Sequence, residues 1–156
     1  MTFNQATVAV AACLLVAAAV ADGPSPASIS PEALSERQSQ GEQAPFVLDV
    51  RSPEEFVTGH VPGAVNIPFD QVAGRLAEIP KDQDLVLYCR SGRRASIAAD
   101  VLVANGYAAP SLLEGDMAGW QRADLPVERP ADAAACVAAL QAARGAAEAC
   151  APPAVR

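Results

Sequence analysis

A cysteine followed by a cluster of arginines is the part of this sequence best equipped for chemistry. Cys89 ends an apolar run, and the residues after it are, in order, Arg90, Ser91, Gly92, Arg93 and Arg94. A polar turn that leads into a helix directs several backbone N–H groups toward the space above the sulfur. The arginines and the helix N-terminus add positive potential, which favours the thiolate over the thiol. The pattern predicts an anion-binding loop in which Cys89 is the catalytic nucleophile and the next five residues bind the substrate.

Short apolar runs predict the strands that position this loop. They span Phe46–Val50, Val65–Ile67, Asp84–Cys89 and Leu112–Leu113. Helical segments separate them, a pattern typical of a parallel α/β sheet covered on both faces. Ligands of such sheets bind beyond the carboxyl ends of the strands, which is where Cys89 lies.

Capping signals and apolar spacing predict the helices. Two helices begin with a serine, a proline and a glutamate, the signature of a capped N-terminus. The serines and the glutamates interpreted as capping residues are Ser30, Ser52, Glu32, Glu54 and Glu55. A third helix is predicted from Val72, Leu76 and Ile79 and ends at Pro80. A fourth follows the cysteine loop, with a buried stripe that includes Ile97, Val101 and Leu102, and a fifth contains Met117 and Trp120 as core residues.

The remaining polar residues of this region are given structural roles. Asp49 and Arg51 are expected to orient the loop or to pair with each other. His60, the single histidine, lies in a turn, and a thiol that its loop already ionises needs no base. No two cysteines have the spacing of a metal site, so neither a metal nor another cofactor is expected.

Several blocks of the sequence, in the order in which they occur, resemble a single-domain rhodanese of the thiosulfate sulfurtransferase family. They are Asp49–Phe56, Gly59–Pro68, Cys89–Arg94, Leu112–Trp120 and Leu125–Glu128. The resemblance implies a three-layer α/β sandwich on a central parallel sheet of five strands. It also implies a persulfide on Cys89 and the transfer of sulfane sulfur from thiosulfate, a small anionic donor, to cyanide or another thiophilic acceptor.

Two positions depart from the rhodanese pattern. The chain has Gly115-Asp116 where family members often have two glycines, and Asp124 where a glycine is frequent. Both positions lie outside the cysteine loop in sequence. We expect them to affect local turn geometry more than chemistry.

Most other functions of such a loop fit the sequence less well. Cysteine phosphatases place five residues between the cysteine and the arginine, whereas Cys89 and Arg94 enclose four, so the loop favours a sulfur atom over a phosphate. A cysteine at a strand end is usually a small buried hydrophobic residue, but three arginines and a glycine close by favour a reactive thiol. A persulfide carrier or redox module that delivers sulfur to a protein partner stays open as an alternative. An inactive interaction domain is disfavoured because the loop keeps its nucleophile.

Composition limits the class of protein and its partners. The chain has 156 residues, of which 51% are hydrophobic, enough for the core of one domain. Eleven Lys and Arg against 18 Asp and Glu give a net charge of −7. This acidic balance argues against nucleic acid as a partner.

Residues 1–21 predict an export signal. They carry no charged side chain, and an apolar run from Val8 to Val20 ends in a small-residue site at Ala21. The run is short for a membrane span, which needs about 20 residues. Cleavage after Ala21 predicts a periplasmic or secreted protein without stable membrane association. Two alternatives for this segment rank lower: first an uncleaved membrane anchor, and then lipidation at Cys13.

The domain boundaries follow, with a rhodanese-like domain at residues 22–129 and an alanine-rich extension at 130–156. Cys136 and Cys150 in one straight helix would lie about 21 Å apart, too far for a disulfide. We therefore expect a helical hairpin that turns near Gly145, is closed by a Cys136–Cys150 bond and packs through Val137 and Leu140. A loosely attached tail with two free thiols, or a tail cysteine that resolves the persulfide, are the alternatives.

Overall fold

Five parallel strands form the centre of the structure, a computed structural model that describes residues 27–41 and 44–143. The strands are β1 (Ser28–Ile29), β2 (Phe46–Asp49), β3 (Val65–Asn66), β4 (Leu85–Tyr88) and β5 (Ser111–Leu113). Their order is β1-β5-β4-β2-β3, so β4 lies in the middle with Cys89 directly after it. The four predicted strands are confirmed. The two-residue strand β1, which the sequence pattern did not indicate, is the fifth.

Five α-helices accompany the sheet in the described residues. They are α1 (Pro31–Gln38), α2 (Pro53–Thr58), α3 (Arg93–Ala104), α4 (Asp116–Arg122) and α5 (Ala133–Ala143). Three of the predicted capping residues are confirmed: the Ser30 hydroxyl accepts from the Ala33 N–H, and Ser52 and Glu55 form a reciprocal capping box at the start of α2. Glu32 and Glu54 lie in the first turns of α1 and α2, where a negative charge favours the helix dipole. Helices therefore begin where the serine and proline signals place them.

The sheet separates two apolar layers, because side chains of successive strand residues point to opposite faces. On one face, Leu85, Leu87 and Cys89 pack against α3 and the segment that contains Val72 and Ile79. On the other face, a second cluster joins strand residues to α1, α2 and α4; it includes Val86, Tyr88, Leu34, Phe56, Met117 and Trp120. The predicted three-layer sandwich is confirmed.

The helix predicted over Val72, Leu76 and Ile79 is wrong. Two short 3₁₀ helices, Val72–Gly74 and Leu76–Glu78, take its place. The carbonyl of Leu76 would need the N–H of residue 80, which is proline and has none. The Tyr107 hydroxyl donates to that carbonyl instead, at 2.6 Å, and so stabilises the irregular segment.

The buried stripe of α3 also differs from the prediction. Ile97 is 39% exposed, and the stripe consists of Ala95, Ala98, Ala99 and Leu102. These four residues follow the 3.6-residue period and are mostly alanine, which lets the helix lie close to the sheet. Leu102 lies in the stripe as predicted, and the half-buried Val101 packs against the same core cluster. The large Ile97 does not belong to this face, so the prediction was wrong for that residue.

The C-terminal region is described in part. Helix α5 packs against α2, and Cys136 and Val137 contact the second apolar cluster, as predicted for Val137. The side chain of Leu140, the turn near Gly145 and Cys150 lie outside the described residues, so the hairpin and its disulfide stay predictions.

The amino-terminal predictions also fall on residues that are not described, namely the signal segment 1–21, its cleavage after Ala21 and the alternative at Cys13. Within the described ranges, no helix is both long enough and apolar enough to cross a membrane.

Candidate active site around Cys89

The sulfur of Cys89 lies inside a loop that connects β4 to α3. The residue is 1% exposed, and its Sγ accepts a hydrogen bond from the Gly92 N–H at 3.1 Å. Three residues separate Cys89 from the start of α3 at Arg93, and the last of them donates this hydrogen bond. The predicted strand, nucleophile, turn and helix are therefore in the expected order, with the sulfur at the base of the loop.

Gly92 makes this curvature possible. It occupies the N-cap position of α3 with φ 91°, a left-handed conformation that favours glycine. The first N–H groups of a helix have no intrahelical acceptor, and no side chain of the described residues caps α3. They and the positive end of the helix dipole are available to an anion at the loop.

The polar residues of the loop do not all face the sulfur. Arg90, Ser91 and Arg93 are exposed. The half-buried Arg94 forms a bidentate ion pair with Glu55 of α2, at 2.6 and 3.0 Å. This pair lowers the pKa of Glu55 and raises the pKa of Arg94, in both cases chiefly through the hydrogen bonds between them. The structure thus brings Cys89, Gly92 and Arg94 together and leaves two arginines at the rim.

Sequence reasoning missed one function of Glu55. The residue was interpreted as a helix cap, and it does bond the Ser52 N–H at 3.2 Å. The same carboxylate also fixes Arg94 and thereby links α2 to the first turn of α3. No signal in the sequence connects two residues that lie 39 positions apart.

Asp116 is the second residue that sequence reasoning missed. Its Oδ1 accepts a hydrogen bond from the Cys89 N–H at 2.7 Å, and the next residue, Met117, donates its N–H to the Cys89 carbonyl at 3.1 Å. Both peptide groups of the nucleophile are therefore held by the start of α4. The Gly115-Asp116 departure was the available signal. We expected it to affect local turn geometry more than chemistry, and the structure shows that the Asp116 side chain contacts the backbone of the nucleophile.

A buried ion pair supports the strand next to β4. Asp49 at the end of β2 pairs with Arg51 at 2.6 Å, and both side chains are nearly inaccessible. Arg51 also donates to the Gly59 carbonyl and lies 5.5 Å from the centre of the Tyr88 ring. The predicted pairing is confirmed.

His60 lies in the core and not at the loop. Its ring stacks on Phe56 with centroids 3.6 Å apart, and Nδ1 bonds the Phe56 carbonyl at 3.0 Å. Nε2 is buried 3.8 Å from Glu128 and has no hydrogen-bond partner among the described residues. Burial lowers the pKa of His60 and outweighs the opposing effects of the Phe56 carbonyl and Glu128. This surrounding fits the structural role predicted for His60.

We expect the fold to lose stability as the pH falls through the titration range of histidine. The folded pKa lies below the unfolded value of about 6.5, so below that pH the unfolded chain binds more protons. The free energy of unfolding should be constant just above pH 7 and fall by at most about 1.4 kcal/mol per pH unit toward pH 5.5. Urea denaturation measures it. His60→Asn should remove this dependence, and an unchanged slope in that variant would contradict the assignment.

The described residues contain no cluster of three or more histidine, cysteine, aspartate or glutamate side chains that could hold a metal ion.

Comparison with known proteins places the chain in a family. A family model named "Rhodanese-like domain" matches residues 30–123. The chain is 38% identical over 102 residues to a protein named sulfurtransferase from Allochromatium vinosum, covering 65% of this chain and 94% of that protein. It is 42% identical over 62 residues to thiosulfate sulfurtransferase PspE of Escherichia coli, covering 38% of this chain and 60% of that protein.

A solved structure shows the same architecture. The crystal structure of a rhodanese-related protein from Thermoplasma volcanium is 27% identical, with a TM-score of 0.59. The match covers 65% of this chain and 97% of that protein. The segment that the family model matches, residues 30–123, contains the strand, loop and helix around Cys89.

Proposed function

This chain belongs to the rhodanese-like domain family of sulfurtransferases, and from that premise we propose that it moves sulfane sulfur from thiosulfate to a thiophilic acceptor through a persulfide on Cys89. The observation that carries the proposal is the sulfur of Cys89 at the base of a loop closed by the Gly92 N–H and the N-terminus of α3. A sulfur in that position meets hydrogen-bond donors and positive potential.

The proposed reaction has two steps. The Cys89 thiolate attacks the outer sulfur of thiosulfate; a sulfur–sulfur bond forms to Cys89, the one within thiosulfate breaks, and sulfite leaves with the electron pair. Cyanide or another nucleophile then attacks the terminal sulfur of the persulfide and regenerates the thiolate. Loop N–H groups stabilise the negative charge during both steps, and Arg94, held by Glu55, adds a fixed cation beside the loop.

A persulfide carrier that serves a protein acceptor is the alternative for the same site. It uses the same persulfide and differs only in what removes the sulfur. Sustained turnover with small acceptors supports the enzyme, whereas a single stoichiometric transfer supports the carrier.

Intact mass spectrometry tests the persulfide directly. After treatment with thiosulfate, the protein should gain the mass of one sulfur atom, and cyanide should remove it. The mass also shows whether the exported chain begins at Asp22, as cleavage after Ala21 predicts for a periplasmic or secreted protein. A protein whose mass stays constant would contradict the proposed function.

The exposed arginines predict a salt-sensitive affinity for thiosulfate. Arg90 and Arg93 lie at the rim of the loop, where charge-assisted contacts favour a dianion over the single carboxylate of 3-mercaptopyruvate. Replacing either by alanine should raise the KM for thiosulfate by roughly twofold to fivefold, with less effect at high salt. Lys81→Ala, which removes a charge before the amino end of β4, is the control. Equal efficiency with both donors in every variant would contradict the prediction.

A further inference from the structure

The carboxylate of Asp116 is part of the cysteine loop although it comes from another element. Oδ1 bonds the N–H of Cys89, and a Cβ added at Gly92 would lie 3.4 Å from Oδ2. One oxygen therefore holds the nucleophile, and the other lies beside the residue whose N–H bonds the sulfur. The loop is thus in contact with a fixed acidic group at its base.

This placement is costly for an aspartate. Asp116 is 7% exposed and has φ 54°, a conformation that disfavours residues with a Cβ. None of the ion pairs found in the described residues includes it. A buried carboxylate without a cation is unfavourable unless hydrogen bonds compensate. Asp124 has a similar φ of 53° but is exposed, so it carries the backbone strain without the burial.

Asp116 also changes the charge of the loop. Of the three arginines, Arg94 forms an ion pair with Glu55, which offsets part of its charge. Asp116 offsets part of the potential from Arg90 and Arg93, which are exposed and screened by water. A fixed negative charge acts twice as strongly on a dianion as on a monoanion at the same distance.

We propose that Asp116 is a positioning and specificity-determining residue, which holds the Cys89 amide and places a negative charge in the loop that weakens the binding of doubly charged ligands. The loop still admits thiosulfate through its arginines and N–H groups, but less tightly than the same loop without this carboxylate. The statement about donors rests on the proposed function. The statement about charge does not, because it concerns any ligand that approaches the sulfur.

Two alkylating reagents of nearly the same shape measure this charge. Iodoacetamide is neutral and iodoacetate is an anion; with each, the Cys89 sulfur forms a bond to carbon and iodide leaves. The ratio of their rates cancels the fraction of thiolate and reports the local potential. Peptide mass spectrometry identifies alkylation at Cys89 among the other cysteines of the full-length chain.

Two variants distinguish the effect of the Asp116 charge from the effect of its hydrogen bond to the Cys89 N–H. Asp116→Asn keeps an acceptor for the Cys89 N–H and tolerates a positive φ, whereas Asp116→Gly removes both the acceptor and the charge. Asp124→Asn is the matched control, since it neutralises an aspartate of nearly equal φ on an exposed turn. Thermal denaturation confirms that each variant folds.

We expect the iodoacetate to iodoacetamide ratio to rise about threefold to tenfold in both Asp116 variants and to stay constant in Asp124→Asn. About 1 M salt should reduce the rise. The kcat/KM for thiosulfate should increase in Asp116→Asn, chiefly through a lower KM. A wild-type protein that transfers no sulfur while the ratio still shifts would overturn the proposed function and support the charge assignment.

Three results would overturn the inference. The first is a ratio that does not change in either Asp116 variant. The second is a rise in Asp116→Gly alone, because the cause would then be the lost hydrogen bond and not the charge. The third is a wild-type Cys89 that neither reagent modifies, because a ligand that does not reach the sulfur does not experience this potential.

Discussion

Replacing Cys89 by serine is expected to lower the kcat/KM for sulfur transfer by at least about a thousandfold and to prevent the thiosulfate-dependent mass increase. A serine hydroxyl is not ionised near neutral pH and cannot form a persulfide. The fold should be preserved because serine is close to cysteine in size and its oxygen can accept the hydrogen bond from the Gly92 N–H. Steady-state assays with thiosulfate and cyanide measure the loss.

Cys136→Ser is the matched control for this prediction. Cys136 lies in α5 and packs against the second apolar cluster, on the face of the sheet opposite Cys89. Its replacement should leave the persulfide and the turnover unchanged. A large loss of activity in Cys136→Ser would favour the alternative in which a tail cysteine resolves the persulfide, and normal turnover in Cys89→Ser would refute the mechanism.

Local sequence signals predicted the part of the site that is continuous in the chain. Cys89 lies at the end of a buried strand, and the polar turn that follows it leads into a helix. Both features depend on residues within one turn, so their identities suffice. The same holds for the Ser52–Glu55 capping box.

Local sequence signals did not predict the contacts between distant segments. The Arg94–Glu55 pair and the Cys89–Asp116 bond join residues 39 and 27 positions apart. Each depends on the angle at which a short helix meets the sheet, which tertiary packing decides. At Leu76 the local signal was misleading, because apolar spacing predicted an α-helix. The structure has 3₁₀ turns there, since Pro80 lacks an N–H and the Tyr107 hydroxyl bonds the Leu76 carbonyl.

The buried Asp49–Arg51 ion pair supports the carboxyl edge of the sheet beside the cysteine loop. Asp49 accepts from the backbone N–H and from the guanidinium of Arg51, and Asn66 donates to the carbonyls of both residues. The pair therefore connects the end of β2 to β3 and lies against Tyr88, which directly precedes Cys89. Its loss should disturb the carboxyl edge of the sheet.

Asp49→Ala is expected to lower the free energy of unfolding by about 3–5 kcal/mol, because Arg51 would stay buried with no carboxylate to balance it. Urea denaturation at pH 7 measures the change. Asp84→Ala, which breaks the exposed pair with Arg37, is the matched control and should cost less than about 1 kcal/mol. If Asp49→Ala cost no more than Asp84→Ala, water would have to reach Arg51 in the variant, and the pair would not support the loop as we describe.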